Sequence, residues 1–235
     1  MVVNQNSKPQ KNQSEGRQAR KQQQTRAGLL EAGYYVMSEN GIDAAKIKDI
    51  TSRADVGFGT FYNYFENKDE LASQILDCII NDFGNRSVLA TRELAAIDPS
   101  LAMPVSIRLI MRAVITDPLW QWWALRPELL ANRMRAGFEP FGMQDIHKAI
   151  ALGLFTLDER DIPSAWALAT WMMVAGIHDI VIGQRPPESE TFIVDSVMRV
   201  FGVAPEVARR ISSSQLPEYP PSDIDWGFRL SVDYV

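Results

Sequence analysis

Four residues, Gly59, Thr60, Tyr62 and Asn63, offer the clearest chemistry in this sequence. At 100° per residue of an α-helix, Gly59 and Asn63 point about 160° away from Phe61, a residue expected in the core. An asparagine on an exposed helix face can pair bidentately with adenine, and threonine or tyrosine hydroxyls can reach phosphates. The spacing therefore indicates hydrogen bonding to a DNA major groove.

Three predicted helices position these residues. The apolar spacing of residues 27–37 predicts the first helix, and that of residues 47–54 predicts a second helix of about two turns. Residues 55–57 break the pattern, and Phe61 and Phe65 restart it in a third short helix. A longer helix followed by two short helices and a tight turn between them is the helix-turn-helix arrangement. In that arrangement the second short helix enters the major groove.

Charge is divided unevenly along the chain. The net charge is −5, but residues 1–68 hold 10 basic and 7 acidic residues, whereas residues 69–235 hold 14 basic and 22 acidic residues. A basic segment joined to an acidic body is typical of a module that meets a polyanion, although a solvated tail has the same composition. Because residues 1–21 contain almost nothing apolar, we predict that they form a disordered basic arm.

The run from Gly41 to Leu71 resembles the DNA-binding signature of the tetracycline-repressor (TetR) family. The matching positions are Gly41, Ile50, Ala54, Val56, Gly59, Thr60, Phe61, Tyr62, Phe65, Lys68 and Leu71. The resemblance implies a DNA-binding domain over residues 22–68, DNA contacts from Thr60, Tyr62, Asn63 and Tyr64, and a phosphate contact from Lys68. The predicted DNA-binding set also includes Lys48, Phe58 and Gly59.

Two features of this run depart from the family pattern. Ala44, Ala45 and Lys46 stand where the family commonly has a threonine N-cap for the second helix, so we expect Asp43 to replace that cap. Asp55 stands in place of the turn glycine, and Gly57 in place of the following serine. Aspartate tolerates a left-handed backbone, so we expect the turn to be kept.

Beyond Lys68 every periodic segment is helical, and the fold class is therefore all-α. The predicted helices are 69–95, 100–116, 118–136 with a bend at Pro127, 143–155, 162–183, 188–201 and 205–212. Breaks are expected at Asp98-Pro99, Gly137 to Gly142, Arg185 to Pro187 and Ala204-Pro205. Residues 69–212 form the predicted effector-binding and dimerisation domain, and the order of the tail over residues 213–235 is left open.

Aromatic and methionine residues are concentrated in the acidic part of the chain, where all six tryptophans follow residue 119. Such residues converging between helices build an adaptable apolar pocket, although a plain core uses them too. The resemblance implies an effector pocket in this region. The predicted effector-binding residues are Met111, Trp122, Trp123, Arg126, Phe155, Trp166, Trp171, Met173 and His178. For His178, a helix-dipole partner or a surface residue is the alternative.

The most apolar stretch runs from Ile162 to His178, between Asp161 and Asp179. It is short of a membrane-spanning helix, so we predict a buried helix and no membrane association. A helix that is apolar all round must be covered on both sides. The predicted arrangement places the effector pocket on one side and the partner subunit of a homodimer on the other, with the helix at 188–201 joining the interface.

Catalytic chemistry has little support in the sequence. The two histidines, His147 and His178, have no metal-ligand spacing, and no Gly-rich phosphate loop is present, so we expect no enzyme activity, metal or cofactor. Cys78 is the single cysteine, expected to be a buried small hydrophobe, with redox sensing as the alternative. The absence of a cysteine pair and of an apolar N-terminal leader favours a cytoplasmic location.

Together these features predict a homodimeric, sequence-specific transcriptional regulator that binds double-stranded operator DNA. We expect a repressor that a lipophilic or aromatic small molecule releases from its operator. The alternative is a DNA-binding regulator whose C-terminal domain senses a partner protein, and a helical enzyme is a more distant third.

Overall fold

The computed structural model describes residues 9–230, with side chains from residue 16 onward except that of Pro118. Across these residues the regular secondary structure is helical, which confirms the all-α prediction. The helices are α1 (Pro9–Asn40), α2 (Ile47–Arg53), α3 (Lys68–Ile97), α4 (Ala102–Thr116), α5 (Pro118–Ala124), α6 (Pro127–Ala151), α7 (Ile162–Val181), α8 (Glu190–Val200) and α9 (Pro205–Ser212). Short 3-10 helices lie at Phe58–Asn63, Pro99–Leu101, Glu159–Asp161 and Pro187–Ser189.

The described chain divides into two compact units. The first unit contains the residues up to Ile75 together with Trp226–Arg229, and the second contains Leu76–Asp225. The tail, whose order the sequence analysis left open, thus contains residues that belong to the first unit, and Trp226 is one of them. The first unit therefore contains a tryptophan that sequence position alone would assign to the second.

Helix α1 begins at Pro9, so the prediction of a disordered arm over residues 1–21 is wrong from that residue onward. Residues 1–8 lie outside the described part of the chain. Lysine, glutamine and arginine have good helix propensity, and extending an existing helix costs far less than nucleating one. A lack of apolar residues excludes burial of this segment but does not exclude a helix.

The core of the first unit is built where α1, α2 and the 3-10 helix meet the start of α3. Phe61 is fully buried and Phe65 is 1% exposed, as the sequence predicts. Gly33 of α1 allows close approach to α3, because a Cβ there would lie 2.7 Å from a methyl carbon of Leu71. The start of α3 thus packs against the buried side of the two short helices.

The second unit differs from the predicted helix boundaries in its middle. The break falls at Leu125–Arg126 rather than over 137–142, and α6 continues through both glycines. A Cβ at Gly137 would lie 2.5 Å from Cγ2 of Ile80, and one at Gly142 would lie 2.5 Å from the Trp166 ring. These glycines permit close helix packing and do not end a helix, a distinction that a single sequence does not show.

A buried ion pair joins α4 to α8. Arg108 is 5% exposed, Glu190 is 1% exposed, and their Nε and Oε1 atoms lie 3.3 Å apart. Arg112 also reaches Glu190, with 2.7 Å between Nη2 and Oε1. Because loss of one partner would leave a buried charge without compensation, this cluster holds α8 firmly on α4.

Two helical stretches, Pro99–Thr116 and Glu159–Val181, are long and apolar enough to cross a membrane when judged by length and composition. Half of the first stretch and 44% of the second are buried inside the structure. Core helices of bundles meet the same criterion, so these two stretches support no conclusion about membranes.

Candidate functional site

The turn between the two short helices has the backbone geometry expected of Asp55. Its φ is +52°, so this aspartate adopts the left-handed conformation in place of a glycine. Helix α2 has Lys46 as its N-cap, without a side-chain hydrogen bond, and the predicted cap from Asp43 is therefore wrong. The carbonyl oxygen of Asp43 is used instead, as an acceptor for Lys68.

The 3-10 helix Phe58–Asn63, which we name the recognition helix, exposes the face predicted from helical spacing. Tyr62 is 53% exposed, Gly59 and Asn63 are exposed, and Thr60 is half-buried, whereas Phe61 faces the core. A Cβ built at Gly59 would meet nothing within 4 Å. A small polar face with open space above its glycine permits close approach of another molecule.

The aromatic residues at the ends of this segment differ in exposure. Phe58 is 54% exposed and its ring meets that of Tyr62 edge-on, with 5.8 Å between the ring centroids. Tyr64 is half-buried beside the core residues. Phe58 and Tyr62 thus extend the exposed face with two apolar rings, which suits contact with thymine methyl groups and sugars.

The two predicted phosphate ligands have different surroundings. Lys48 is exposed near the start of α2. The ammonium of Lys68 donates to the carbonyl oxygens of Asp43 at 2.6 Å and Ala45 at 3.1 Å. Two of its three donors therefore hold the α1–α2 loop, and one remains for a phosphate.

Arg53, which the sequence pattern did not indicate, lies at the end of α2 and is 44% exposed. Its guanidinium carbon sits 4.6 Å from the ring centroid of Tyr35, and Nη1 lies 3.4 Å from Oε1 of Glu39. Tyr35 is 42% exposed, so it belongs to this surface and not to the core. A separation of 18 residues between Tyr35 and Arg53 gives no periodic signal in the sequence.

A cavity of about 360 Å³ lies within the second unit. Its walls come from the C-terminal half of α3 and from α4, α6, α7 and α8. The apolar lining includes Val88, Met103, Ile107, Ile110, Met134, Phe138, Phe141, Phe155, Trp166, Met173, Val197 and Phe201. The polar lining includes Ser87, Thr91, Arg92, Ser100, Ser106, Gln144, Asp145, Lys148 and Thr170. An apolar cavity with a few polar groups is the usual form of a small-molecule site.

Three of the predicted effector residues, Phe155, Trp166 and Met173, line this cavity. The remaining six are Met111, Trp122, Trp123, Arg126, Trp171 and His178, and none of them is part of the cavity wall. Met111 and Trp123 are fully buried core residues. Arg126 covers the Trp122 ring at 3.6 Å from its centroid. Helical spacing groups residues on a face but does not show which gap between helices stays unfilled.

The last two of these six residues lie on the outside of α7. Trp171 is 44% exposed. Nδ1 of His178 lies 3.4 Å from Oδ1 of Asp179. Arg185 donates from Nε to Oδ2 of Asp179 at 2.8 Å, and this bond lowers the pKa of that carboxyl. His178 therefore belongs to a polar cluster at the end of α7, and its predicted place in the effector site is not supported.

Asp145 is the cavity residue that the sequence analysis missed and whose chemistry is most distinctive. Burial raises the pKa of its carboxyl, and Lys148, one helical turn further along α6, partly opposes the rise. A carboxyl beside an apolar cavity can accept a hydroxyl hydrogen, or donate one when protonated. The missed residues lie mainly on α3 and α6. The cavity face of α3 has no aromatic residue to mark it, and on α6 the prediction of a break over 137–142 hid the pair Phe138 and Phe141.

Comparison with known proteins places the first unit in a family. Residues 29–75 match the family described as bacterial regulatory proteins, tetR family. The HTH-type transcriptional repressor DhaR of Mycobacterium sp. (strain GP1) is 36% identical over 74 residues, which is 32% of this chain and 37% of that protein. An uncharacterized HTH-type transcriptional regulator, YvdT of Bacillus subtilis (strain 168), is 40% identical over 52 residues, 22% of this chain and 27% of that protein. The chain thus spans little more than a third of the length of the first relative and about a quarter of the second.

Similarity to solved structures extends over both units. The crystal structure of RolR without ligand has a TM-score of 0.73 and 25% identity, covering 83% of this chain and all of that one. The structure of RolR in complex with resorcinol has a TM-score of 0.76 and 26% identity, covering 86% of this chain and all of that one. Residues 29–75 therefore carry the DNA-binding domain of the tetR family of bacterial regulatory proteins, and the chain shares the fold of RolR.

Proposed function

We propose that this chain is a homodimeric, cytoplasmic repressor that binds operator DNA through its recognition helix and is released by a small aromatic molecule. The observation that carries the proposal is the 360 Å³ apolar cavity in a chain that also exposes a polar recognition face. A regulator that read DNA without a ligand would gain nothing from an unfilled space of this kind. Unfilled core volume lowers stability, so its retention favours a ligand-binding role.

The chemistry of the cavity favours an aromatic effector that carries hydroxyl groups. Phe138, Phe141 and Phe155 supply aromatic surface, and Asp145 supplies a carboxyl for a hydroxyl hydrogen bond. RolR, which shares this fold, has been crystallised with resorcinol, a benzene ring with two hydroxyl groups. This similarity supports a mono- or dihydric phenol as the class of effector.

Repression is the favoured direction of control. DhaR, which is similar over 74 residues, is a transcriptional repressor. The match covers 32% of this chain, so the effector is argued from the lining residues of its own cavity.

The proposal is tested first by operator release. An operator is selected with the full-length protein from a pool of random duplexes, and its complex is titrated with resorcinol and with phenol in a gel shift. Release by either compound, and no release by cyclohexane, supports the proposal. If no member of a phenol panel releases the DNA, the partner-protein alternative replaces it.

The dimer follows from an uncovered apolar stripe. On α7 the exposed positions Leu168, Trp171 and Ala175 recur at helical spacing, on the side away from the cavity residue Met173, and Ile182, the C-cap of α7, continues the spacing. Phe192 of α8 is 65% exposed. Large apolar side chains left exposed together on neighbouring helices mark a protein interface. A two-fold partner that presents the same two helices would cover them in a four-helix arrangement.

Changing Phe192 to glutamate is expected to weaken the dimer by about 30-fold or more. The reason is that a central aromatic anchor contributes at least about 2 kcal/mol to an interface, and a buried charge adds a further cost. Sedimentation equilibrium measures the dissociation constant. Leu125→Glu is the matched control, since Leu125 is 59% exposed but lies outside α7 and α8. An unchanged dissociation constant for Phe192→Glu would exclude this face as the interface.

Deletion of residues 1–21 is expected to weaken DNA binding on every sequence. Arg17, Arg20 and Lys21 are exposed on α1, and the deletion also removes Lys8 and Lys11. Each lost phosphate contact reduces the slope of log K against log salt by about 0.9. Deletion of residues 1–7, which contain no charged side chain, is the control. An identical salt slope for both deletions would mean that the basic segment does not contact DNA.

A further inference from the structure

The C-terminal tail, residues 213–228, has no regular secondary structure but is held at several points. In the second unit the guanidinium of Arg86 donates from Nε to the carbonyl oxygen of Pro220 at 2.7 Å and lies 4.0 Å from the ring centroid of Tyr219. The Tyr219 hydroxyl donates to the carbonyl oxygen of Phe83 at 3.1 Å. Burial raises the pKa of Tyr219, so its phenol stays protonated as a donor.

A second anchor follows immediately along the tail. Asp82, which is 3% exposed, accepts from Ser222 Oγ at 2.9 Å and from the backbone N–H of Asp223 at 3.0 Å. Arg86 Nη1 lies 3.1 Å from the same carboxylate. Hydrogen bonds to a buried charged group are among the stronger ones in proteins. Residues 219–223 are therefore fixed to one turn of α3.

That turn of α3 also forms part of the cavity wall. Gly84 and Ser87 line the cavity, and Ser87 Oγ lies 3.4 Å from the Tyr219 hydroxyl. Ser87 therefore belongs both to the cavity wall and to the tail anchor.

In the first unit the tail ends against α1. Trp226 packs on Tyr34 with 5.3 Å between ring centroids, and Arg26 donates to the carbonyl oxygen of Phe228 at 3.4 Å. Tyr34 meets Tyr35 edge-on at 5.5 Å. Arg53, the last residue of α2, lies over the Tyr35 ring. Aromatic contacts therefore run without interruption from the tail to the helix-turn-helix.

A short segment of chain joins the two sets of anchors. Only Ile224 and Asp225 stand between Asp223 and Trp226. Three consecutive Cα–Cα steps span at most about 11 Å. Because this segment cannot stretch beyond that length, a displacement that would carry the Asp223 anchor farther than this from Trp226 must move Trp226 or detach it.

We propose that the C-terminal tail is a coupling strap, which passes changes in the cavity wall at Ser87 to α1 and α2 through Tyr219 and Trp226. A regulatory role for the strap rests on the proposed effector-responsive function. The physical coupling of the cavity wall to α1 and α2 does not depend on that function. The competing description is a local brace, in which each end of the tail stabilises only the unit that it contacts.

Amide hydrogen exchange on the full chain separates these two descriptions without any ligand. Tyr219→Ala removes the anchor in the second unit, and exchange is read in the first unit over Tyr34–Met37 of α1 and over α2. We expect exchange there to rise about tenfold, because the freed strap no longer holds Trp226 on Tyr34. Glu218→Ala, an exposed tail neighbour, is the matched control and should leave exchange unchanged.

Faster exchange in α3 near Phe83 with unchanged exchange in α1 and α2 would overturn the strap in favour of the local brace. If Tyr219→Ala does not fold, Tyr219→Phe combined with Ser222→Ala removes three hydrogen bonds and keeps the ring, and is read in the same way. A regulatory arm measures operator affinity with and without resorcinol: the strap predicts that Trp226→Ala keeps resorcinol binding but reduces its effect on DNA. Failure of resorcinol to bind the unaltered protein would count against the proposed function, while the exchange result would still decide the strap.

Discussion

Alanine at Tyr62 or Asn63 is expected to weaken operator binding by about 5- to 150-fold, while helix content and dimerisation stay unchanged. A contact that reads a base contributes about 1–3 kcal/mol of discrimination, and its loss relaxes preference at one position in each half-site. Both side chains are exposed on the recognition helix, whereas Phe61 beside them forms the core. Their truncation therefore removes contacts to a partner and not contacts within the fold.

Fluorescence anisotropy with a labelled operator measures the affinities, and repeated selection from random duplexes measures the relaxed preference. Leu152→Ala is the control, because Leu152 is 53% exposed but lies in the second unit at the end of α6. Full operator affinity in both the Tyr62 and the Asn63 variant would show that this face does not read DNA.

Replacing Asp145 by leucine is expected to weaken resorcinol binding by about 10- to 100-fold. A hydrogen bond to a charged or protonatable partner contributes about 1.5–3 kcal/mol when it forms inside an apolar site. Toluene, which has no hydroxyl group, should bind both proteins with similar affinity or prefer the leucine variant. Isothermal titration calorimetry gives both dissociation constants.

Gln144→Leu provides the matched control for this variant. Gln144 precedes Asp145 on α6 and also lines the cavity, but it has no ionisable group. Equal losses of resorcinol affinity in the two leucine variants would mean that polarity in general, and not the Asp145 carboxyl, recognises the hydroxyl groups. No loss in either variant would place the phenol elsewhere.

Asp145 also makes the stability of the free protein depend on pH. Because burial raises its pKa in the folded state above the ordinary value of 3.8, the folded protein holds this proton more tightly than the unfolded chain does. The free energy of unfolding therefore falls as pH rises from about that value through the raised pKa. Asp145→Asn should reduce this fall in urea unfolding measured between pH 4 and pH 7. Asp117, whose pKa burial also raises, contributes a fall of the same sign that this variant leaves in place.

The DNA-binding unit was predictable because short-range spacing determines most of it. Phe61 and Phe65 recur one helical turn apart and are buried, and Asp55 adopts the left-handed turn conformation. The N-cap of α2 was predicted wrongly. The position of Asp43 in the sequence shows that hydrogen-bond donors lie nearby, but either its side chain or its backbone carbonyl can accept from them. Local spacing does not decide between them.

The effector site was less predictable because a cavity is defined by what does not fill it. Trp123 and Phe155 carry similar signals in the sequence, yet only Phe155 faces the unfilled space. The glycines of α6 show the same limit, since a glycine that admits a neighbouring ring looks like a helix stop until that ring is located. The contact between Trp226 and Tyr34 joins residues 192 positions apart, and no periodicity reports such a pair.

Reciprocal binding of effector and operator tests the central claim most directly. Resorcinol is titrated into the full-length protein with and without saturating operator DNA, and operator is titrated with and without saturating resorcinol. Linkage requires the two affinities to fall by the same factor, typically about 5–150-fold for coupled sites. The proposed function predicts equal factors within this range. Resorcinol dissociation constants that are identical with and without operator would contradict effector-controlled release.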